Sequence, residues 1–157
     1  MQGLRIIWVG KTKHGYAREG VSSFVKRITP LSNLECIEVR GAVHSNREPE
    51  AAIRVESDAI LKRLQPREPV ILLHENGKQH SSRELAQLLG NLREQGSGGV
   101  TFVLGGAYGV DERVEASATE TISLSRMTFP HQLVRVMLLE QIYRALTLHG
   151  GHAYHHD

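Results

Sequence analysis

With 157 residues, 40% of them hydrophobic and 23% charged, the chain falls in the range of one globular domain with a sizeable core, residues 1–157 forming a single unit. A lone cysteine, Cys36, excludes an internal disulfide and suits a reducing compartment. No apolar run is long enough to span a bilayer, and the N-terminal run meets Lys11 and Lys13 too soon for a signal segment, so a cytoplasmic protein is expected. The net charge of +2 conceals a split: up to Pro30, Arg5, Lys11, Lys13, Arg18, Lys26 and Arg27 face Glu19 alone, leaving +5 on that part and −3 on the remainder.

In chain order, "LRIIWVG" reads as a buried strand ended by Gly10. Ala17, Val21, Phe24, Val25 and Ile28 then recur at helical spacing before Pro30. "LECIEV" alternates as a strand. After a polar loop with Pro49, a helix places Ile53, Ile60, Leu61 and Leu64 on one side. "PVILL" is a short apolar strand followed by a turn at "HENGK". Ser81 and Glu84 have capping-box spacing and open a helix striped with Leu85, Leu88, Leu89 and Leu92. "GGVTFVL" is the next strand and runs straight into "GGAYG". Asp111 is a natural N-cap for a short helix through Ala118, "ETISLS" alternates as the last strand, and Pro130, at a first helical position, starts the longest helix, to about Leu148. Alternating strands and helices predict an α/β fold with a mostly parallel sheet flanked by helices.

The last helix is apolar around most of its circumference, which predicts burial on several sides. Glu140, Gln141 and Arg144 form its polar stripe, Glu140 and Arg144 at the favourable i,i+4 spacing. Arg135 projects from the opposite side among Leu139, Ile142 and Leu146, one turn after His131. A charge in such company needs a partner: a buried ion pair, a subunit interface or a ligand pocket.

Ligands of open parallel sheets bind outside the carboxyl ends of the strands, so the three loops "HENGK", "GGAYG" and "LSRMTF" mark a candidate site. None is a phosphate loop of the usual kinds: Gln79 follows Gly77-Lys78, and "GGAYG" lacks the dinucleotide fingerprint spacing. Nucleophile-elbow, cysteine-histidine zinc and paired-carboxylate patterns are absent from the sequence. The basic first thirty residues suggest a polyanion-facing end, unless Arg18 and Lys26 only solvate a helix, and with 5% aromatic residues a base-stacking platform is not expected. The terminal "HGGHAYHHD" holds four of the nine histidines and reads as a metal site, a solvated tail or the edge of an active site.

The segments "LLHENGK", "FVLGGAYG", "LSRMTFPHQLVRVMLLEQIYRA" and "YHHD", with "VGK" and "FVKRI" nearer the start, cover essentially the whole chain. They resemble the SPOUT-class ribosomal RNA large subunit methyltransferase H family. That resemblance implies a SPOUT-like α/β knot, a C-terminal trefoil, with S-adenosyl-L-methionine held in the knot. It also implies a homodimer whose active site uses both subunits, and methylation of N3 of a pseudouridine in 23S ribosomal RNA, with naked RNA and the assembled ribosome both open as substrate. Carried over by position, the cofactor contacts fall on Leu73, Gly105, Leu124, Ser125, Arg126, Met127, Thr128 and Phe129.

Two positions depart from the family pattern: His74, followed by Glu75, stands where an aspartate is usual, and His156 stands where a basic residue usually follows Tyr-His. On this reading His155, with Tyr154 packed nearby, orients or deprotonates the base, Arg135 and Arg126 balance negative charge, and no metal is required. The apolar last helix is expected at the dimer interface. Two alternatives follow: a knotted RNA-binding or ribosome-assembly factor without catalysis, motivated by the departures, and an unrelated nucleotide-binding enzyme preferring a phosphorylated ligand.

Overall fold

The computed structural model describes residues 3–42, 48–96, 98–151 and 153–156. Five strands, β1 (Gly3–Val9), β2 (Leu34–Val39), β3 (Val70–Gln79), β4 (Gly99–Leu104) and β5 (Glu120–Ser123), form one sheet in the order β2-β1-β4-β3-β5. Every pairing is parallel. Helices α1 (Gly15–Ile28), α3 (Ser82–Gln95) and α5 (His131–His149) cover one face, and α2 (Pro49–Leu61) and α4 (Glu112–Ser117) the other. The α/β class and mostly parallel sheet expected from the sequence are therefore present.

Parallel strands covered on both faces must be apolar on both, which is why "VTFVL" of β4 is buried throughout. Leu4, Ile6, Ile71, Phe102 and Ile122 pack under α1, α3 and α5, while Ile7, Val39, Leu72 and Val103 meet Ile60 of α2 and Val114 of α4. The capping box of α3 is complete: the Ser81 amide donates to Glu84 Oε2 at 2.6 Å and the Glu84 amide to Ser81 Oγ at 3.1 Å. Such a cap stabilises a helix start by about 1 kcal/mol.

Three details differ from the sequence reading. Pro130 is the N-cap of α5, one position before the first helical residue. In α2 the buried positions are Ala52, Glu56, Ser57 and Ile60, and Leu64 lies beyond the helix. Two polar side chains turn inward there because each has a use: Ser57 Oγ accepts from the Asp111 amide at 2.9 Å, and the Glu56 carboxylate accepts from the Ala42 backbone. The third difference is larger. "HENGK" does not end β3: Leu73 and Lys78 both pair with Ile122 of β5, so residues 74–77 loop out and the strand resumes. The alternation that defines a strand in sequence stops at Leu73, whereas the pairing that continues it comes from a segment more than forty residues downstream.

Gly77 is where the returning chain crosses β5. A Cβ added there would stand 2.5 Å from the carbonyl carbon of Ile122 and 2.8 Å from its Cα. These are backbone atoms that cannot rotate aside. Gly77→Ala is therefore expected to lower unfolding stability by about 3 kcal/mol, measured by urea denaturation; a loss under about 0.5 kcal/mol would contradict this close crossing.

Candidate active site

The strand order gives the site its position. β3 lies between β4 and β5 although it precedes both in the chain, so the looped-out residues 74–77 of β3 and the loops after β4 and β5 emerge side by side. The register aligns them: Leu73 is opposite Leu104 on one side and Ile122 on the other, which brings His74, Gly105 and Ser123 to the rim together. Beyond that rim lies a cleft of about 370 Å³, within the size range of small-molecule sites.

Of the residues singled out for a cofactor, Leu73, Gly105, Leu124, Ser125, Met127, Thr128 and Phe129 line this cleft. Arg126 belongs to the same loop but is exposed and does not line it. Two short bonds shape the loop: Ser123 Oγ donates to the Ser125 carbonyl at 2.8 Å, and the Met127 amide donates to Ser125 Oγ at 3.0 Å. Across the cleft, the Gly109 amide donates to the Gly106 carbonyl at 3.0 Å, closing "GGAYG" into a tight turn with Gly109 at φ +85°. That φ lies in the left-handed region where glycine carries no steric penalty. Tyr108 and Met127, 62% and 75% exposed, stand on opposite lips.

None of the described lining residues is lysine or arginine, and Glu75 is the one formally charged side chain among them. A phosphorylated ligand would meet no cation here, whereas a ligand bearing positive charge meets a carboxylate. His74 turns back on its own loop, Nδ1 accepting from the Asn76 amide at 3.1 Å.

Arg135 is buried, but it reaches neither the cleft nor a carboxylate. Its Nη2 donates to the Val9 carbonyl at 2.6 Å, its Nη1 to the Gly10 carbonyl at 3.0 Å and to Thr12 Oγ1 at 2.9 Å, and the guanidinium lies 5.0 Å from the Trp8 ring centroid. Carbonyls at the end of β1 take the place of the expected ion pair. One turn earlier His131 lines the cleft, and partial desolvation, reinforced by the Arg135 charge, holds its ring below the ordinary 6.5.

The C-terminal histidines divide by surroundings. His149 Nε2 donates to the Ala86 carbonyl, fixing the end of α5 on α3 over Gly90, where a Cβ would meet the imidazole at 2.7 Å. His152 and Asp157 lie outside the described residues. His155 and Tyr154 come together on the polar stripe of α5. Arg144 Nη1 donates to His155 Nδ1 at 3.0 Å, the Tyr154 hydroxyl donates to Glu140 Oε1 at 3.2 Å, and Arg144 pairs with the same carboxylate. Tyr143 meets the Tyr154 ring edge-on at 4.7 Å. Desolvation, then the Glu140 carboxylate, raises the Tyr154 phenol above its ordinary 10, so it stays a donor. Sequence reasoning saw Glu140 and Arg144 only as a helix-surface pair; both anchor the tail, and only the tail's own polar composition hinted at it. Glu140 also lines a second cavity of about 380 Å³ that shares Ser123 and Leu124 with the cleft.

Arg135→Met should cost about 3 kcal/mol, because buried carbonyls lose a charged donor, and it should raise the His131 midpoint toward 6.5. A base whose folded midpoint is lowered leaves the unfolded chain binding more protons, so stability attributable to His131 is complete above about pH 6.5 and declines as the pH falls through that value. An NMR titration placing His131 at or above 6.5 in the unsubstituted protein would contradict the assignment.

Residues 2–155 match the family described as predicted SPOUT methyltransferase. The chain is 42% identical to the ribosomal RNA large subunit methyltransferase H of Geotalea daltonii, with 98% of this chain and 99% of that protein covered. It is 38% identical to the protein of the same name from Pelotomaculum thermopropionicum, with 98% of each covered. Among solved structures, a probable methyltransferase from Bordetella pertussis Tohama I superposes with a TM-score of 0.56 at 18% identity, covering 92% of this chain and 95% of that one. A tRNA methyltransferase from Aquifex aeolicus gives 0.53 at 16%, covering 90% and 69%. At such identities these two likenesses speak to the fold alone.

Proposed function

The chain belongs to the SPOUT methyltransferase family, and from that premise we propose that it methylates N3 of a pseudouridine in 23S ribosomal RNA using S-adenosyl-L-methionine. The observation that carries this reading is the convergence of the looped-out residues of β3 and the ends of β4 and β5 on one cleft with no lysine or arginine among its described lining residues. Its chemistry fits the cofactor: apolar walls from Leu73, Leu104, Phe129 and Val134, adaptable backbone at Gly105 to Gly109, and a carboxylate at Glu75 for a ligand that carries a sulfonium charge. The same composition disfavours the reading as an enzyme for phosphorylated nucleotides. The names of the full-length relatives support ribosomal RNA as substrate. The family's C-terminal trefoil knot is part of the proposal, as are the cytoplasmic setting and an assembled ribosome as substrate.

When bound, S-adenosyl-L-methionine supplies an electrophilic methyl group; the rest falls to the protein's own residues. Leu73, Gly105, Leu124, Ser125, Met127, Thr128 and Phe129 hold and orient, and Arg126, exposed beside them, is assigned to the RNA side. Pseudouridine N3 carries an imide proton that must leave as the new N–C bond forms. With its Nδ1 lone pair taken by Arg144, a neutral His155 carries its proton on Nε2. It therefore acts as a donor to a carbonyl of the base, stabilising the negative charge that develops there as N3 loses its proton to water. Tyr154 keeps the tail on Glu140, and Arg135 acts at a distance by fixing the end of β1. The chain is proposed to work as a homodimer, joined through the half-buried Leu133, Val136 and Met137 of α5.

Calorimetry with S-adenosyl-L-methionine, followed by transfer of tritiated methyl to large ribosomal subunits lacking the modification, tests the whole reading. Tight binding and transfer to one pseudouridine are expected. Binding without transfer would favour an assembly factor, and no binding would reject the cofactor site. His155→Ala should lower kcat about a hundredfold with cofactor affinity within about twofold. His155→Gln, which keeps a donor, should recover much of that loss. Full activity in His155→Ala would remove the residue from the reaction. Sedimentation should find a dimer, and a fully active monomer would contradict the interface.

A further inference from the structure

The loop between β1 and α1 is braced from across the molecule. Gln132 Oε1 accepts from the amides of Lys13 and His14 at 2.7 and 3.3 Å, and its Nε2 donates to the Lys11 carbonyl at 3.2 Å. Arg135 secures Gly10 and Thr12 of the same loop. Gln132 and Arg135 share the opening of α5 with His131 and Val134, which line the cleft. One stretch of helix therefore fixes both the cleft wall and this loop, and the distance between them is set by a rigid element.

The braced loop presents Lys11, Lys13 and His14 to solvent. Immediately after it, Tyr16 is 53% exposed, its ring parallel to that of His14 at an interplanar angle of 5° and a centroid separation of 5.8 Å. Arg18, Ser22 and Lys26 lie along one exposed face of α1, four, eight and twelve residues after His14 and so in register with it rather than with Tyr16. A large ring left in water is supported from one side by a second ring, His14, and His14 stands at the head of a basic stripe. The 5% aromatic content leads to the expectation of no base-stacking platform, and the Tyr16–His14 pair departs from it, since a single supported ring is enough for one base.

We propose that Tyr16, backed by His14, stacks an unpaired base of the RNA next to the nucleotide that enters the cleft, while Lys11, Lys13, Arg18 and Lys26 hold the phosphates of the same strand. The inference rests on the RNA methyltransferase reading and names the surface that reads its substrate. Stacking on one aromatic face tolerates any base, and the lysines and arginines add salt-dependent affinity without selecting sequence. Selection of the target is left to the cleft.

The test uses Tyr16→Trp, Tyr16→Ala and Tyr16→Phe in the full-length protein. Trp8, the only tryptophan, is buried, so an indole placed at position 16 reports separately. A single-stranded oligoribonucleotide should quench that fluorescence, and an abasic strand of the same length should not. Tyr16→Ala should raise KM for ribosomal RNA about tenfold with kcat and S-adenosyl-L-methionine affinity unchanged, and Tyr16→Phe should match the unsubstituted protein. Equal quenching by the abasic strand, or an unchanged KM in Tyr16→Ala, would overturn the platform. Absence of methyl transfer by the unsubstituted protein would instead reject the parent reading, and the quenching comparison decides the platform independently of turnover.

Discussion

Three parallel strands that end side by side create a problem that the rest of the molecule is arranged around. Where two strands are paired, the backbone N–H and C=O groups between them are satisfied by the ladder; at the carboxyl ends the last ones are not, and something must satisfy them. At β1 the answer comes from the protein itself, with Arg135 donating to the carbonyls of Val9 and Gly10. At β3, β4 and β5 the chain instead turns away sharply, through the looped-out residues 74–77, the Gly106 to Gly109 turn and the Ser125-stabilised loop. What remains between them is a cleft with backbone on three sides.

Helix α5 ties this cleft to everything else that bears on function. Its first turns carry His131 and Val134 into the wall and Gln132 and Arg135 onto the β1–α1 loop. Midway it offers Glu140 and Arg144 to the tail, and its end is pinned to α3 through His149. A helix that is apolar on nearly all sides can be held by neighbours along its whole length, so few of its side chains are free to drift. The three polar groupings on it thereby keep fixed separations, which is what in-line transfer to a positioned base demands.

How much of this was legible in the sequence depended on whether the signal was local. Apolar runs mark β1 and β4 nearly to the residue, since strands covered on both faces leave a continuous apolar composition; the half-exposed β2 is marked by its alternation, and the Ser81–Glu84 box marks the start of α3. The continuation of β3 past Leu73 was invisible because "HENGKQ" has no alternation and its partner lies far downstream. Arg135 was recognised as a charge in need of company, but main-chain carbonyls have no letter in a sequence, so an ion pair was the natural guess. Residues proposed for the cofactor came from family resemblance, and all except Arg126 gather at one cleft. Glu140 and Arg144 looked like an ordinary surface pair because the tail that folds onto them is separated by a glycine break.

The central claim is that the ends of β3, β4 and β5 together hold one adenosyl cofactor. Backbone amide chemical shifts recorded as S-adenosyl-L-methionine is added to the isotope-labelled protein test it most directly. The account predicts saturable shifts concentrated at Leu73 to Glu75, Gly105 to Gly109 and Leu124 to Phe129, with the helix α2 side of the sheet unmoved. Shifts centred elsewhere, or none at saturating cofactor, would contradict it.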